Sequence, residues 1–356
     1  MSRIQLMIGR NSLTLARPEE AIEALEHAEN LLSETAIRDR LSILSAVLSV
    51  SGDALRSLAR FNEAEAKHRE ALAIAMDLPE SEDLLLSLNH GLGKTFSQQG
   101  RWSDAEMQYR KSVDLARRTL GPVHVRTATT IDSLAASIAS QGRLDEAAPL
   151  FLEALEVRRS LLREDHPSLA FSLHNLGVLA LDRGRPEESV GFHREALAIR
   201  LAAYGEKNPR TAWSHDGLGA ALTALGRHDE ASQHLETALE VRRATLGAEH
   251  PQIRRSLRLL AALHRDAGDL LAAAGRYREA LAAGLPWEPE SSKPDPNGAE
   301  LALDLAEVLA ELGSTDEVPE ALAQAEARME PEQEGELGPR IQQLRNSLPS
   351  SSPRTE

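Results

Sequence analysis

The chain contains no cysteine in its 356 residues. Disulfides, thiolate metal sites and thiol catalysis are excluded. Aromatic residues are scarce, at five Phe, three Tyr and three Trp. The bulk is Ala, Leu, Arg and Glu, a helix-forming mixture. Lysine is rare beside arginine, a bias that hints at a GC-rich bacterial genome. No apolar run reaches the 18 or so residues of a membrane span. The N-terminal MSRIQLMIGRN lacks the apolar core and cleavage site of a secretory signal, so a cytoplasmic protein is expected. There is no basic excess: the net charge is −15, which argues against a nucleic-acid partner. GxxxxGK[ST], GxSxG and HExxH are all missing. The expectation is a non-enzyme with no cofactor.

What the sequence does have is a period. The segment Gln141 to Asp182 reads QGRLDEAAPLFLEALEVRRSLLREDHPSLAFSLHNLGVLALD. Gly100, Gly142, Gly184, Gly226 and Gly268 follow one another at 42 residues, and Gly313 comes 45 later. Ala59 and Ala16 hold the place upstream. A fixed period in the range of about 20–50 residues signals a solenoid. Small residues recur at fixed offsets: Ala105, Ala147 and Ala231 five after the marker, and Gly93, Gly177 and Gly219 seven before the next. Small side chains let helices approach to the short end of the packing range of about 8–10 Å. Each unit reads as helix A, a tight turn at Gly-Arg, helix B, then a loop.

These residues resemble the tetratricopeptide repeat, in the long form of kinesin light chains and many bacterial proteins. The resemblance rests on SLHNLGVLALDRGRPEESVGFHREALAIR and the linkers REDHP, GEKNP and LGAEHP. It implies an all-α, right-handed superhelical α-solenoid of about eight antiparallel helix pairs that serves as a protein-binding scaffold. The array is expected over residues 1–330, a capping helix over 331–347 and a disordered tail over 348–356. Sequence spacing predicts helices at about 2–15 and 18–33, 35–58 and 61–77, 81–99 and 102–119, 123–141 and 144–162, and 167–183 and 186–203. It continues with 209–225 and 228–245, 251–267 and 270–284, and 298–312 and 315–329. The proline-rich stretch after residue 284 reads as a long loop. The chain starts almost inside a helix A, which suggests either stacking on an upstream segment or a late start at Met1.

Three histidines, His124, His166 and His250, precede helix A in one register with Asn208. Loops of successive repeats are too far apart for shared zinc at about 2.0–2.1 Å per ligand, so a structural role is expected. Paired arginines late in helix B, Arg117-Arg118, Arg158-Arg159 and Arg242-Arg243, are expected to complement the negative helix end and face solvent.

The resemblance places one face of helix A on the concave groove. Helical spacing puts Asp132, Ala136, Ser87 and Thr129 on that stripe. The candidate partner-binding residues are His90, Lys94, Phe171, His174, Asn175, Trp213, Asp216, Arg255, Arg258 and Arg265. Phe171 and Trp213 occupy equivalent places in adjacent repeats. They form an apolar ledge beside an arginine cluster, or else fill gaps between neighbouring A helices. A ledge of that kind suits an acidic partner with one apolar anchor. Kinesin-light-chain repeats carry Leu-Asn-Asn-Leu in helix A, which only His174-Asn175 approaches here. His90-Gly91, Asp132-Ser133, Asp216-Gly217 and Arg258-Leu259 depart from it, so the ligand class does not transfer. A second function is weighed beside the scaffold: the regulatory C-terminal repeats of a bacterial serine/threonine kinase-type signalling protein.

Overall fold

In the computed structural model, residues 18–31, 37–79, 81–247, 250–283, 296–329 and 333–348 are described. The expected first A helix (2–15), most of the proline-rich loop and the tail from 349 lie outside them. The described residues form sixteen helices and no strand. In chain order they are α1 (Pro18–Leu31), α2 (Ile37–Ser57), α3 (Phe61–Met76), α4 (Glu82–Gln98), α5 (Trp102–Thr119) and α6 (Val125–Ala139). Next come α7 (Leu144–Leu161), α8 (Pro167–Asp182), α9 (Pro186–Tyr204), α10 (Pro209–Ala224) and α11 (His228–Thr245). The last are α12 (Pro251–Asp266), α13 (Leu270–Ala282), α14 (Pro296–Leu312), α15 (Val318–Arg328) and α16 (Glu334–Ser347). None of the described helices is long and apolar enough to cross a membrane.

The Gly-Arg turn follows from backbone chemistry. Gly100, Gly142, Gly184, Gly226, Gly268 and Gly313 all have φ between 69° and 81°. This left-handed conformation is open to glycine without a Cβ penalty. It lets the next residue's N–H reach back to a carbonyl in the last turn of helix A, as Arg227 N does to Leu222 O at 2.9 Å. Ala59 holds the same conformation at φ 57° with a side chain attached. The arginine after the turn binds a carboxylate three residues on, as in Arg101–Asp104 and Arg227–Glu230.

Before helix A the caps also follow from chemistry. His124 Nδ1, His250 Nδ1 and Asn208 Oδ1 accept from the backbone N–H two residues later, at 3.0, 3.2 and 2.9 Å. His166 does the same for Ser168 at 3.2 Å. The imidazole therefore stands in for the usual short polar cap.

The chain divides into two compact units, 1–179 and 180–356. In the first, α2 packs on α3, α4 on α5 and α6 on α7, while α3 meets α4 and α5 meets α6. In the second, α10 packs on α11, α12 on α13 and α14 on α15, with α16 against α14. The second unit has a continuous core from Val190 to Ile341.

The small residues set the A–B distance. A Cβ on Gly93 would stand 2.6 Å from Tyr109 Cε1, and one on Gly219 2.5 Å from Leu235 Cγ. Gly52 and Gly91 leave room for His68, whose Cε1 would lie 2.7 and 2.9 Å from their added Cβ atoms. His68, Tyr109, Phe151, His193, Leu235 and Tyr277 thus share one place in helix B, a knob aimed at helix A. Ser112 replaces the usual alanine and satisfies its hydroxyl on Leu86 O at 3.0 Å.

Candidate functional site

The A-helix stripe splits into surface and interior. Phe171 and Val178 lie two turns apart on α8, 42% and 38% exposed. Thr129 on α6 is half-buried and Ala136 is exposed. On α4, Lys94 is exposed and His90 half-buried. His90 lies 5.5 Å from the ring of Tyr109. Burial pushes its pKa down to about 3, with Lys94 adding to the effect, so it is neutral at pH 7. Lys94 forms no ion pair with a described residue, and desolvation lowers its pKa. Arg56, paired with Asp53 at 3.1 Å, is the nearby cation on α2. In this part of the stripe the cations Lys94 and Arg56 outnumber the carboxylate Asp53.

His174 and Asn175 continue the same helix as Phe171. His174 is buried and Asn175 half-buried. Trp213, on α10 in the second unit, is half-buried.

The arginines depart most from the sequence reading. Arg158 and Arg242 are not on the solvent side: they are 2% and 0% exposed. Arg158 ion-pairs with Asp132 and donates to Ser172 Oγ at 2.5 Å and Thr129 Oγ1 at 3.1 Å. Arg242 pairs with Asp216 at 2.6 Å and donates to Ser256 Oγ. The physical reason is partner supply. Helix A of the same repeat offers a carboxylate and the next helix A a hydroxyl, so the guanidinium can leave water. Of these two pairs only the second arginines, Arg159 and Arg243, stay outside, and Arg243 binds Glu279 there. Arg117 aligns with Arg159 rather than Arg158, and it too is exposed, on Glu153 at 2.7 Å.

Asp216 is therefore an interior ion-pair partner, 1% exposed. Its burial raises its pKa against the pull of Arg242. Asp132 is raised likewise, to about 6.

Arg258 and Arg265 are also engaged. Arg258 binds Glu300 at 2.5 Å and Asp304 at 3.2 Å. Arg265 binds Glu307 at 3.1 Å and Glu311. Arg340 of α16 completes this ladder on Asp304 and Glu307. Of the three predicted arginines, Arg255 alone is exposed with no hydrogen bond or ion pair to a described residue.

The residue that sequence reasoning passed over is Arg200. It stands 42 residues after Arg158 and 42 before Arg242, and it is 5% exposed. It donates to Ser214 Oγ at 2.6 Å. The signal was available in the 42-residue spacing of Arg158, Arg200 and Arg242 and of Ser172, Ser214 and Ser256.

Among the described residues no group of three or more His, Asp or Glu side chains is arranged to hold a metal ion.

Comparison with known proteins places these features in a family. The sequence profile of the tetratricopeptide repeat matches residues 43–118, 126–202, 178–240 and 210–284, more than half of the chain. BtubC (BKLC) from P. vanneervenii is a similar solved structure. It is 26% identical with a TM-score of 0.56, over 65% of this chain and 94% of that one. NprR in complex with its cognate peptide NprX is 14% identical with a TM-score of 0.62, over 90% and 87% of the two chains. A Rap protein complexed with competence and sporulation factor is 12% identical with a TM-score of 0.61, over 96% and 99%. These last two likenesses concern the fold. No curated protein sequence matches the chain.

Proposed function

The chain belongs to the tetratricopeptide repeat family, and from that premise we propose that it is a non-catalytic scaffold binding a protein or peptide partner along its A-helix face. The observation that carries the reading is the exposure of Phe171 and Val178 on one face of α8. Large apolar side chains held together in the open on a repeat array suit a partner contact. Lys94 and Arg56 supply positive charge elsewhere on the same kind of face. NprR is solved with its cognate peptide NprX and the Rap protein with competence and sporulation factor, both on folds of this kind, which supports the class of ligand and not its identity.

Selection from a random peptide display library against the purified chain tests the proposal. Peptides that bind should lose affinity tenfold or more with Phe171→Asp plus Val178→Asp. They should keep it with Met107→Asp plus Leu152→Asp, two exposed apolar residues on B helices. No selected peptide, or equal loss in both variants with helicity preserved, would remove the A-helix face as the binding surface.

A further inference from the structure

One pair of histidines stands apart from the repeat pattern. His215 on α10 and His234 on α11 lie 19 residues apart in the chain and meet across the A–B contact of their repeat, Nδ1 to Nδ1, at 2.9 Å. Their ring centroids are 5.1 Å apart, with the planes tilted by 36°. In earlier repeats the same two registers, at 42-residue steps, carry Leu173 with Phe192, Ile131 with Leu150, and Asn89 with Gln108. Two of these three combinations are apolar, so packing of a repeat does not require polar groups here. In this repeat imidazole stands on both helices at once.

The surroundings leave the two rings open to a ligand. Both are half-buried, and no nitrogen of either is sealed from solvent without a hydrogen-bond partner. Burial lowers the His215 pKa to about 4, with His234 adding to the effect. Burial also lowers that of His234, with Arg194 assisting and Glu230 opposing. Glu230, one turn before His234, is held by Arg227 at 2.5 Å. Both rings are therefore neutral at pH 7, the form in which imidazole binds a metal ion.

The geometry suits two adjacent ligands of one ion. Nitrogens that each stand about 2.0–2.1 Å from a metal, at right angles, are about 2.9 Å from one another. We propose that His215 and His234 together bind a divalent transition-metal ion through their Nδ1 atoms, in an open site whose other positions are filled by water. As the pair stands, one Nδ1–H donates to the other Nδ1. On binding, that proton moves to Nε2 of the same ring, and both Nδ1 lone pairs become available. Imidazole suits Ni2+, Cu2+ and Zn2+, whereas Mg2+ and Ca2+ take oxygen ligands. The right-angled spacing favours Cu2+ and Ni2+ over tetrahedral Zn2+. The site does not depend on the partner-binding reading of the A-helix face.

The test is calorimetric titration of the purified chain with NiCl2 at pH 6, beside MgCl2. At that pH an ordinary histidine, with a pKa of about 6.5, is mostly protonated and competes weakly. Wild type should bind one equivalent of Ni2+ and no Mg2+. His215→Ile plus His234→Leu, which installs the residues of the Ile131 repeat, should lose that equivalent. His215→Asn plus His234→Gln, which installs those of the Asn89 repeat, should lose it too and serves if the apolar variant does not fold. Each single substitution should weaken binding at least tenfold, because either removes the chelate. No Ni2+ equivalent in wild type overturns the site. So does an equivalent that survives in a folded double variant, or a loss from only one of the two single variants.

Electron paramagnetic resonance with one equivalent of Cu2+ counts the ligands. The wild-type spectrum should show coupling to two imidazole nitrogens, and either single variant to one or none. A wild-type spectrum with a single coupled nitrogen, or one unchanged in the Asn–Gln variant, overturns the pair as the chelate.

Discussion

A guanidinium inside a protein is a liability whose size depends on its neighbours. Removing one partner of a buried ion pair strands the other and costs about 3–5 kcal/mol. Arg242→Met should therefore destabilise strongly in urea unfolding, because Asp216 stays behind in the interior. Arg242→Met combined with Asp216→Leu should recover much of the loss. Arg200→Met should be nearly neutral or stabilising. It strands no carboxylate, and burial has already pushed the Arg200 pKa down to about 10. Equal losses from Arg242→Met and Arg200→Met would mean that Arg200 has a hidden acidic partner.

His68 gives the corresponding case for pH. It is fully buried between Gly52 and Gly91, and neither ring nitrogen has a hydrogen-bond partner. Desolvation lowers its pKa to about 4, with Asp53 opposing and Arg56 and Lys94 assisting. The unfolded chain thus binds a proton below about pH 6.5 that the folded chain refuses down to about pH 4. Stability from this residue is fully present above about pH 6.5 and is lost as pH falls toward 4, by roughly 3 kcal/mol at most. Asp132, raised to about 6, slopes the other way. The difference between wild type and His68→Phe isolates the histidine. Phe occupies this register at Phe151. The variant should gain Tm over wild type at pH 5 compared with pH 7.5, and a pH-independent difference would show that folding leaves the His68 pKa unshifted.

At the scale of elements, the turn between helices A and B carries the next prediction. Ala59 sits at φ 57° where six other repeats place glycine. A left-handed L residue pays about 1–2 kcal/mol, while glycine costs roughly 0.5–1 kcal/mol in chain entropy. Ala59→Gly should stabilise the α2–α3 pair by up to about 1 kcal/mol, and Gly226→Ala should destabilise α10–α11 by about 1–2 kcal/mol. Both are read from urea midpoints, and opposite signs from those stated would mean that the turn is not what fixes the pair. Most of this layer is legible in the sequence, because glycine spacing, prolines at helix starts and apolar period are local signals. Helices α5 and α7 fall within one residue of their predicted bounds. The placement of the arginines is not legible in the same way. Arg158 late in a B helix looks like a solvent-side complement to the helix dipole. What decides its depth is Asp132, 26 residues before it, and Ser172, 14 after. The Arg258 and Arg265 ladder likewise depends on carboxylates 42 and 46 residues away. Phe171 could be read either as filler or as surface from the sequence, and its 42% exposure is a property of the folded chain. Long-range pairing of this kind has no signature in a single helix.

For the whole molecule, the repeat principle makes damage local. In a stack of helix pairs each element contacts only its neighbours, so stability is close to a sum of repeat and interface contributions. The contacts here follow that rule: within each unit helices meet those adjacent in sequence or the next A helix along, as α2 meets α4 and α10 meets α12. Gly219→Leu tests it. The new side chain would collide with Leu235, since even a Cβ stands 2.5 Å from its Cγ, and overpacking of a core costs about 1–3 kcal/mol. Hydrogen exchange should accelerate in α10, α11 and the flanking α9 and α12, where the core around Leu218, Leu222 and Leu235 is continuous. Exchange in α4 and α5 should stay at the wild-type rate, because those helices bury Leu86 and Leu115 in a core of their own. Urea unfolding of the variant should broaden or split, since a locally weakened array leaves the rest standing. Uniform acceleration across all helices, with a single transition shifted as a whole, would mean that the chain unfolds as one cooperative body. In that case the arithmetic of independent repeats would not apply to this protein.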